Sequence, residues 1–451
     1  MARQVLEAFF MGRDLANDAI EIFSTAVEAV RPEHLIPRNV RRVESVLHVG
    51  HLEFDLQKFS KIVVVGGGKA SAAMAAPIEE MLDSYVTGGV VVTKYGHSVP
   101  LKKIQVYESG HPVPDERGVR GTAELIRTVE ALSKNDLVLC LLSGGGSALL
   151  SSFEDAIVLE DVQALSRLLL ASGVPIHEMN TVRKHISKVG GGKLARLAHP
   201  ATILTLVLSD VVGDPLESIA SGPTVPDPST FADVERILSQ YSLEDKLPAS
   251  IRKFLNQGVA GTVPETPKPE DEIFSRCQTL IIGNNRIALE AAQQKAGSLG
   301  YDVRVISWQV QGESSDVARA FARQAKQLRE KEAHRRVPIC LLMGGENTVT
   351  IHGSGLGGRN QEFALSASLE LERTEGIAVL SGGTDGTDGP TDVAGAVVDG
   401  STCVRARQAK VVPEDYLENN DSYRFFRQVG GYLATGPTLT NVMDIMVALI
   451  A

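Results

Sequence analysis

With 451 residues, 43% of them hydrophobic and 22% charged, the chain has the composition of a folded globular protein and a length that predicts two domains. Acidic residues outnumber basic ones 55 to 45, and a net charge of -10 without a long basic stripe speaks against nucleic acid and anionic lipid as partners. The four cysteines, Cys140, Cys277, Cys340 and Cys403, are scattered without a CxxC pair, which excludes a disulfide framework or a zinc ribbon and fits a reducing compartment.

The first thirty residues read as an amphipathic helix, with Ile20, Phe23, Val27 and Val30 at three- and four-residue steps and Pro32 as the stop. No basic-then-apolar leader opens the chain, so a cytoplasmic location is expected. Short apolar runs then recur at 62–65, 90–93, 137–142, 203–208, 280–282, 303–306, 339–343 and 378–380. Most are continuously hydrophobic, as strands covered on both faces require. Helical patterns separate many of them, at 123–132, 159–171, 286–299 and 316–331. Strand alternating with helix predicts an α/β protein with largely parallel, doubly wound αβα sheets. The longest uncharged stretch, 137–153, is broken by Gly144, Gly145 and Gly146, so no membrane span is expected. The Gly- and Pro-rich stretch 258–271 reads as a linker, dividing an N-terminal Rossmann-like domain, 1–257, from a C-terminal α/β domain, 272–451. An echo between 140–145 and 340–345 hints at related halves.

Chemistry is expected where strands end in glycine and helices begin, because ligands of open α/β sheets bind outside the carboxyl ends of the strands. Gly66, Gly67, Gly68 and Lys69 follow the first such strand, and Lys69 at a helix start suits a phosphate or carboxylate. The spacing is not that of a Walker A loop. Ser143, Gly144, Gly145, Gly146 and Ser147 follow the next, either as a cradle for nucleotide phosphates or as a plain turn. Asp210 and Asp214 come directly after 203–208, where a carboxylate could bind Mg²⁺ or take a hydroxyl proton. The stretch 353–358 satisfies Gly-x-Gly-x-x-Gly but lacks a well-placed acidic partner for a dinucleotide ribose. Arg359 follows it, a guanidinium suited to a carboxylate or a transferring phosphoryl group. Asp385, Asp388 and Asp392 lie in one Gly-rich loop, Asp385 nearest the strand end. Arg183, Lys184, His185, Lys188 and Lys193 form a basic stretch that reads equally as a lid over phosphates or a solvated helix face. Asn284 reads first as a helix cap, with nucleotide contact as its second reading.

In order along the chain, these loops resemble the glycerate kinases of the MOFRL type. The carriers are 65–70, 110–115, 142–148, 208–214, 220–224, 344–346, 357–362, 383–389 and 436–438, the last departing from the family pattern at Leu439. The resemblance implies transfer of the ATP γ-phosphoryl group to D-glycerate, usually giving 2-phosphoglycerate, with Mg²⁺, in a cleft between two α/β domains. It implies catalytic or substrate-contacting roles for Lys69 and Arg359. Asp210 and Asp385 join them as the residues sharing magnesium binding and orientation of the attacking hydroxyl. Gly67, Gly68, Ser143, Gly144, Gly145, Gly146, Ser147, Asn284, Glu346 and Asn360 complete the expected nucleotide- and substrate-binding set. The alternative is an NAD(P)H-dependent hydroxypyruvate reductase using 353–358. Assembly as a homo-oligomer is left open by the sequence.

Overall fold

The computed structural model describes residues 14–332, 334 and 337–451. They form two compact units, one of Pro32–Gly283 and the other of Asn284–Ala451 together with the segment ending at Arg31. Of the expected first helix, residues 15–29 are seen (Leu15–Ala29), capped by the Asp14 side chain, and the earlier residues lie outside the described ones.

The unit Pro32–Gly283 opens with a small antiparallel sheet of β1 (Val40–Val43), β2 (Val46–Val49) and β3 (Leu52–Asp55). Its main sheet comprises β4 (Lys61–Gly67), β5 (Val86–Lys94), β6 (Ile104–Ser109), β7 (Asp136–Leu142), β8 (Thr202–Leu208) and β9 (Cys277–Gly283). Every pairing is parallel, in the order β6-β5-β4-β7-β8-β9. The order reverses between β4 and β7, so the loops leaving these two neighbours diverge and open the crevice that doubly wound sheets use for ligands. All seven residues of β7 are buried, which is why its pattern is continuous rather than alternating. A second apolar cluster joins the helices Leu159–Ala171, Ile176–Ile186, Phe231–Gln240 and Ala249–Val259 through Leu165, Val182, Phe231 and Phe254.

The stretch expected as a linker, 258–271, is instead a strap fastened to this unit. The Asp227 N–H donates to the Pro267 carbonyl (2.9 Å), and Lys268 Nζ donates to the Asp227 (3.1 Å) and Ser229 (2.5 Å) carbonyls. After it β9 adds a sixth parallel strand beside β8, so the chain leaves the unit at Gly283. Pro and Gly there report irregular backbone, not a boundary.

In the second unit β10 (Asp302–Val310), β11 (Ile339–Gly345), β12 (Ile377–Gly383), β13 (Gly395–Asp399), β14 (Tyr432–Leu433) and β15 (Asp444–Ile450) form one sheet. Its order is β10-β11-β15-β12-β13-β14, and only β10 and β11 run parallel. The largely parallel expectation therefore holds for one unit and fails for the other. The cause is β15, which enters between β11 and β12 and runs against both. Helices Ser314–Lys331 and Arg359–Leu371 cover one face around Phe321, Phe363, Phe425 and Phe426. Helices Leu15–Ala29 and Asn285–Ser298 pack together elsewhere on the sheet, and Phe23 occupies the space over Gly382. Among the described residues no helix is long and apolar enough to cross a membrane.

Candidate active site

At the ends of β4 and β7 two glycine loops are stitched to each other. The N–H groups of Gly68, Lys69 and Ala70 donate to Val92 O (3.1 Å), Gly144 O (2.9 Å) and Ser143 Oγ (2.9 Å). Gly68 has φ +140°, and a Cβ there would stand 2.2 Å from Ser143 Oγ. A Cβ on Gly67 would strike Leu150 at 2.4 Å. Gly67, Gly68 and Ser143, expected to contact a ligand, are thus used to hold the two loops together, and Ser143 is fully buried. What this first loop offers is the Lys69 side chain. Its carbonyl is tethered by Thr93 Oγ1 (3.3 Å) and His97 Nδ1 (3.1 Å).

The second loop keeps its donors. The N–H groups of Gly144, Gly145 and Ser147 donate to no acceptor among the described residues, while Gly146 N–H turns back to Ser143 O (3.3 Å). Gly145 has φ +79°, and a Cβ there would lie 2.9 Å from the His111 ring and 3.6 Å from Lys69 Cγ. Lys69, His111 and the unspent N–H groups therefore share one small region. His111 is presented by a loop that Asp115 anchors, its carboxylate accepting from Gly110 N–H (2.9 Å), Gly118 N–H (3.0 Å), Ser109 Oγ (3.0 Å) and Tyr95 Oη (2.7 Å). Burial raises the Asp115 carboxyl, but those donors outweigh it and leave it below its ordinary value. Ser147 Oγ lies 2.6 Å from Ser221 Oγ, in a turn where Ala220, Ser221 and Gly222 all have positive φ. Asp210, part-exposed, follows β8 through the buried Ser209.

In the second unit Arg359 opens its helix beside the end of β11 and the start of β15. Its Nε and Nη2 donate to Asp444 Oδ2 (2.6 Å) and Oδ1 (3.0 Å), and Nη1 lies 2.6 Å from Glu346 Oε1. Burial alone would lower its pKa, yet Asp444 and Glu346 hold it well above the ordinary arginine value. Asn360 is fully engaged: Nδ2 donates to Asp444 Oδ1 (3.0 Å) and Oδ1 accepts from Ser381 Oγ (2.7 Å). Asp388, in the loop after β12, accepts from the N–H groups of Asn360 (3.0 Å) and Gln361 (2.8 Å). Burial pushes its carboxyl up to about 6 despite those bonds, and Asp444 adds to the rise. Asp385 closes its loop on Thr387, accepting from the N–H (3.0 Å) and Oγ1 (3.1 Å). The Asn284 side chain caps the helix Asn285–Ser298 through Ile287 N–H (3.2 Å), as its first reading expects.

Sequence reasoning missed Asp444, the fully buried partner of Arg359, and gave Asp388 no role of its own. The available signal for Asp444 is an acid standing immediately before a seven-residue apolar run.

The Gly-x-Gly-x-x-Gly stretch is not a phosphate cradle. Asn420 Oδ1 accepts from the N–H groups of His352 (2.8 Å) and Gly353 (3.0 Å), and Asn419 Oδ1 from Ser354 N–H (3.1 Å). Asp421 Oδ1 takes Leu356 N–H (2.8 Å), and Asn419 O takes Gly355 N–H (2.9 Å). Cβ atoms on Gly353, Gly355 and Gly357 would collide with Asn419, Asp421 and Ser422 at 2.3–2.4 Å or less. The glycines allow one chain segment to lie on another, and the N–H groups of 353–356 are spent on that contact rather than left for a pyrophosphate.

Residues 18–256 match a family model described as a domain of unknown function, DUF4147, and residues 339–444 match the MOFRL family. A glycerate 2-kinase of Pyrococcus horikoshii is 42% identical over 97% of this chain and 98% of its own length. The chain belongs to the MOFRL-type glycerate kinase family. The crystal structure of a glycerate kinase from Thermotoga maritima superposes with a TM-score of 0.82 at 40% identity, covering 97% of this chain and 99% of that one. A relative from Agrobacterium vitis, 43% identical over 86% of this chain and 87% of its own length, carries a hydroxypyruvate-reductase name. Within the glycerate kinase family fold, Lys69 stands with the donor-rich loop of one unit and Arg359 with the carboxylates of the other.

Proposed function

We propose that the chain transfers the γ-phosphoryl group of ATP to the 2-hydroxyl of D-glycerate in the presence of Mg²⁺. The observation that carries this reading is the match to a glycerate 2-kinase across 97% of this chain and 98% of that enzyme. Phosphoryl transfer asks a protein chiefly for positioning and charge stabilisation. Lys69 and the N–H groups of Gly144, Gly145 and Ser147 suit the phosphates. Asp210 and Asp385 suit the metal and the orientation of the attacking hydroxyl. Among the described residues these two carboxylates belong to no preformed cluster of three ligand-type side chains. Magnesium commonly takes one or two carboxylates and completes its shell with substrate phosphates and water. When bound, the ion neutralises charge on the β- and γ-phosphates.

The Arg359 guanidinium is held by two carboxylates of its own chain, so its role is to fix Asp444 and Glu346 rather than to bind the glycerate carboxylate. The reductase reading has no comparable support, because the loop it needs has spent the N–H groups of 353–356 within the chain. The cysteines are all free thiols, which suits a reducing compartment such as the cytoplasm. The deciding experiment is ADP release with ATP, Mg²⁺ and D-glycerate, followed by phosphorus NMR of the product. A phosphorus coupled to the C2 proton is the expected outcome. ATP binding without glycerate-dependent turnover would overturn the reading.

A further inference from the structure

The basic stretch 183–193 divides sharply once its partners are known. Lys184 Nζ lies 3.3 Å from Asp227, Lys188 Nζ 2.7 Å from Asp155 and Lys193 Nζ 2.7 Å from Glu154. His185 Nδ1 donates to Thr181 O (2.8 Å), its Nε2 lies 3.4 Å from Glu265, and the ring packs edge-on against Phe231. It is a core histidine. Arg183 alone among these has no acidic or hydrogen-bonding side-chain partner among the described residues, and its side chain is only part-buried, so its donors face water. Burial holds its pKa below the ordinary arginine value, with no carboxylate to offset the loss. A part-buried guanidinium with no anion of its own chain is available to an anionic ligand.

One turn back on the same helix, Asn180 is buried, and its Oδ1 also lacks a partner. Residues at i and i+3 share a helix face, and a helical side chain leans toward the N-terminal turn, so the Arg183 guanidinium and the Asn180 amide belong to one patch. The same helix, Ile176–Ile186, packs on the turn Ile219–Ser221, whose Ser221 Oγ is 2.6 Å from Ser147 Oγ of the donor-rich glycine loop. The helix that carries the unpaired guanidinium and the unpartnered Asn180 Oδ1 therefore adjoins the proposed phosphate cradle in the same unit.

We propose that Arg183, with Asn180 beside it, grips the carboxylate of the acceptor substrate. This inference rests on the glycerate kinase reading and names the residues that select its acid. A guanidinium offers a carboxylate two parallel N–H donors, which fixes orientation as well as affinity. The division of labour follows from what is already taken: Lys69 and the glycine loop suit phosphate, and Arg359 is committed through Nε, Nη1 and Nη2 to Asp444 and Glu346. An amide beside the carboxylate can in addition hold a hydroxyl of the acid.

Steady-state kinetics of wild type, Arg183→Met and Arg183→Lys with D-glycerate, ATP and glycerol as an uncharged acceptor test this directly. Methionine keeps the apolar stem while removing an unpaired charge, so the fold is expected to persist. Arg183→Met should raise KM for D-glycerate about 10- to 100-fold, leave KM for ATP within about twofold, and erode the preference for glycerate over glycerol by a similar factor. Arg183→Lys should fall between the two. An unchanged KM for glycerate in the methionine variant overturns the assignment while wild-type turnover leaves the kinase reading intact. A rise confined to the KM for ATP also overturns it, giving Arg183 to a phosphate. Wild-type enzyme without glycerate-dependent turnover would instead remove the reading on which the inference rests.

Discussion

Lys69 and Arg359 look alike in the sequence, each a cation directly after glycine at the start of a helix, but their surroundings separate them. Lys69 rises beside the unspent N–H groups, so Lys69→Ala should lower kcat/KM for glycerate by about 100- to 1,000-fold with an unchanged circular-dichroism spectrum. Full turnover in that variant would remove Lys69 from the chemistry. Arg359 neutralises Asp444, a carboxylate with no exposed surface, and shares it with Asn360. Arg359→Ala strands that charge, and a loss of about 3–5 kcal/mol is expected in urea unfolding together with the loss of activity. An Arg359→Ala protein as stable as wild type would show that Asp444 is satisfied without it. Position before a helix was legible in the sequence. The partner was not, because Asp444 stands 85 residues further along and only β15 pairing between β11 and β12 delivers it.

At the scale of the element, glycine-rich loops carry three different meanings here. The loop at 66–68 has glycines because strands and side chains leave no room for a Cβ. The loop at 144–146 keeps donors free, with Gly145 in the left-handed region under His111. Gly145→Ala should cost about 1–2 kcal/mol in backbone strain and displace the imidazole, and it should raise KM for ATP. Wild-type KM and stability in that variant would remove the cradle reading. The loop at 353–358 has glycines so that 419–422 can lie against it. Asn420→Ala removes the acceptor of two backbone N–H groups and a donor to Glu362, so a destabilisation of about 1–3 kcal/mol is expected. NADH should bind neither form, and saturable NADH binding to wild type lost in the variant would reinstate the dinucleotide reading. The three patterns are indistinguishable as strings, since the difference lies in what occupies the space beside each glycine. The strands were more legible: the eight apolar runs all fall within observed strands. The strands without such a run are β1, β2, β3, β6, β13, β14 and β15, which are short, alternating or late in the chain, and all but the first three depend on partners distant in sequence.

For the molecule as a whole, Asp388 in one unit and Glu79 and Asp115 in the other respond to pH in opposite directions. Asp388 has its folded pKa raised from 3.8 to about 6, so the folded state binds more protons than the unfolded one between those values. Its unit therefore gains stability as pH falls through this window, on the order of 3 kcal/mol at most. In the other unit burial raises the Glu79 carboxyl, but the N–H groups of Lys102, Lys103 and Ile104 outweigh it and hold it below 4.5. Asp115 behaves likewise, so stability present above pH 4.5 is lost as pH falls through the lower folded values. Hydrogen exchange corrected for intrinsic rates should show protection of 339–450 rising from pH 7 to 5 and protection of 61–142 falling below pH 4. Parallel behaviour of the two segments would contradict the assignment of these carboxylates.

The position of β15 also sets an order of events at the ribosome. The segment Pro32–Gly283 is contiguous and can close its sheet as soon as β9 has emerged. The other unit lacks an inner strand until Asp444–Ile450 is released, and it needs a helix made before Pro32–Gly283, namely Leu15–Ala29. Segments made before and after the contiguous unit thus complete one body. Until β15 arrives, that helix must wait with Ile22, Phe23 and Ala26 uncovered, making the nascent chain a natural client for a holding chaperone.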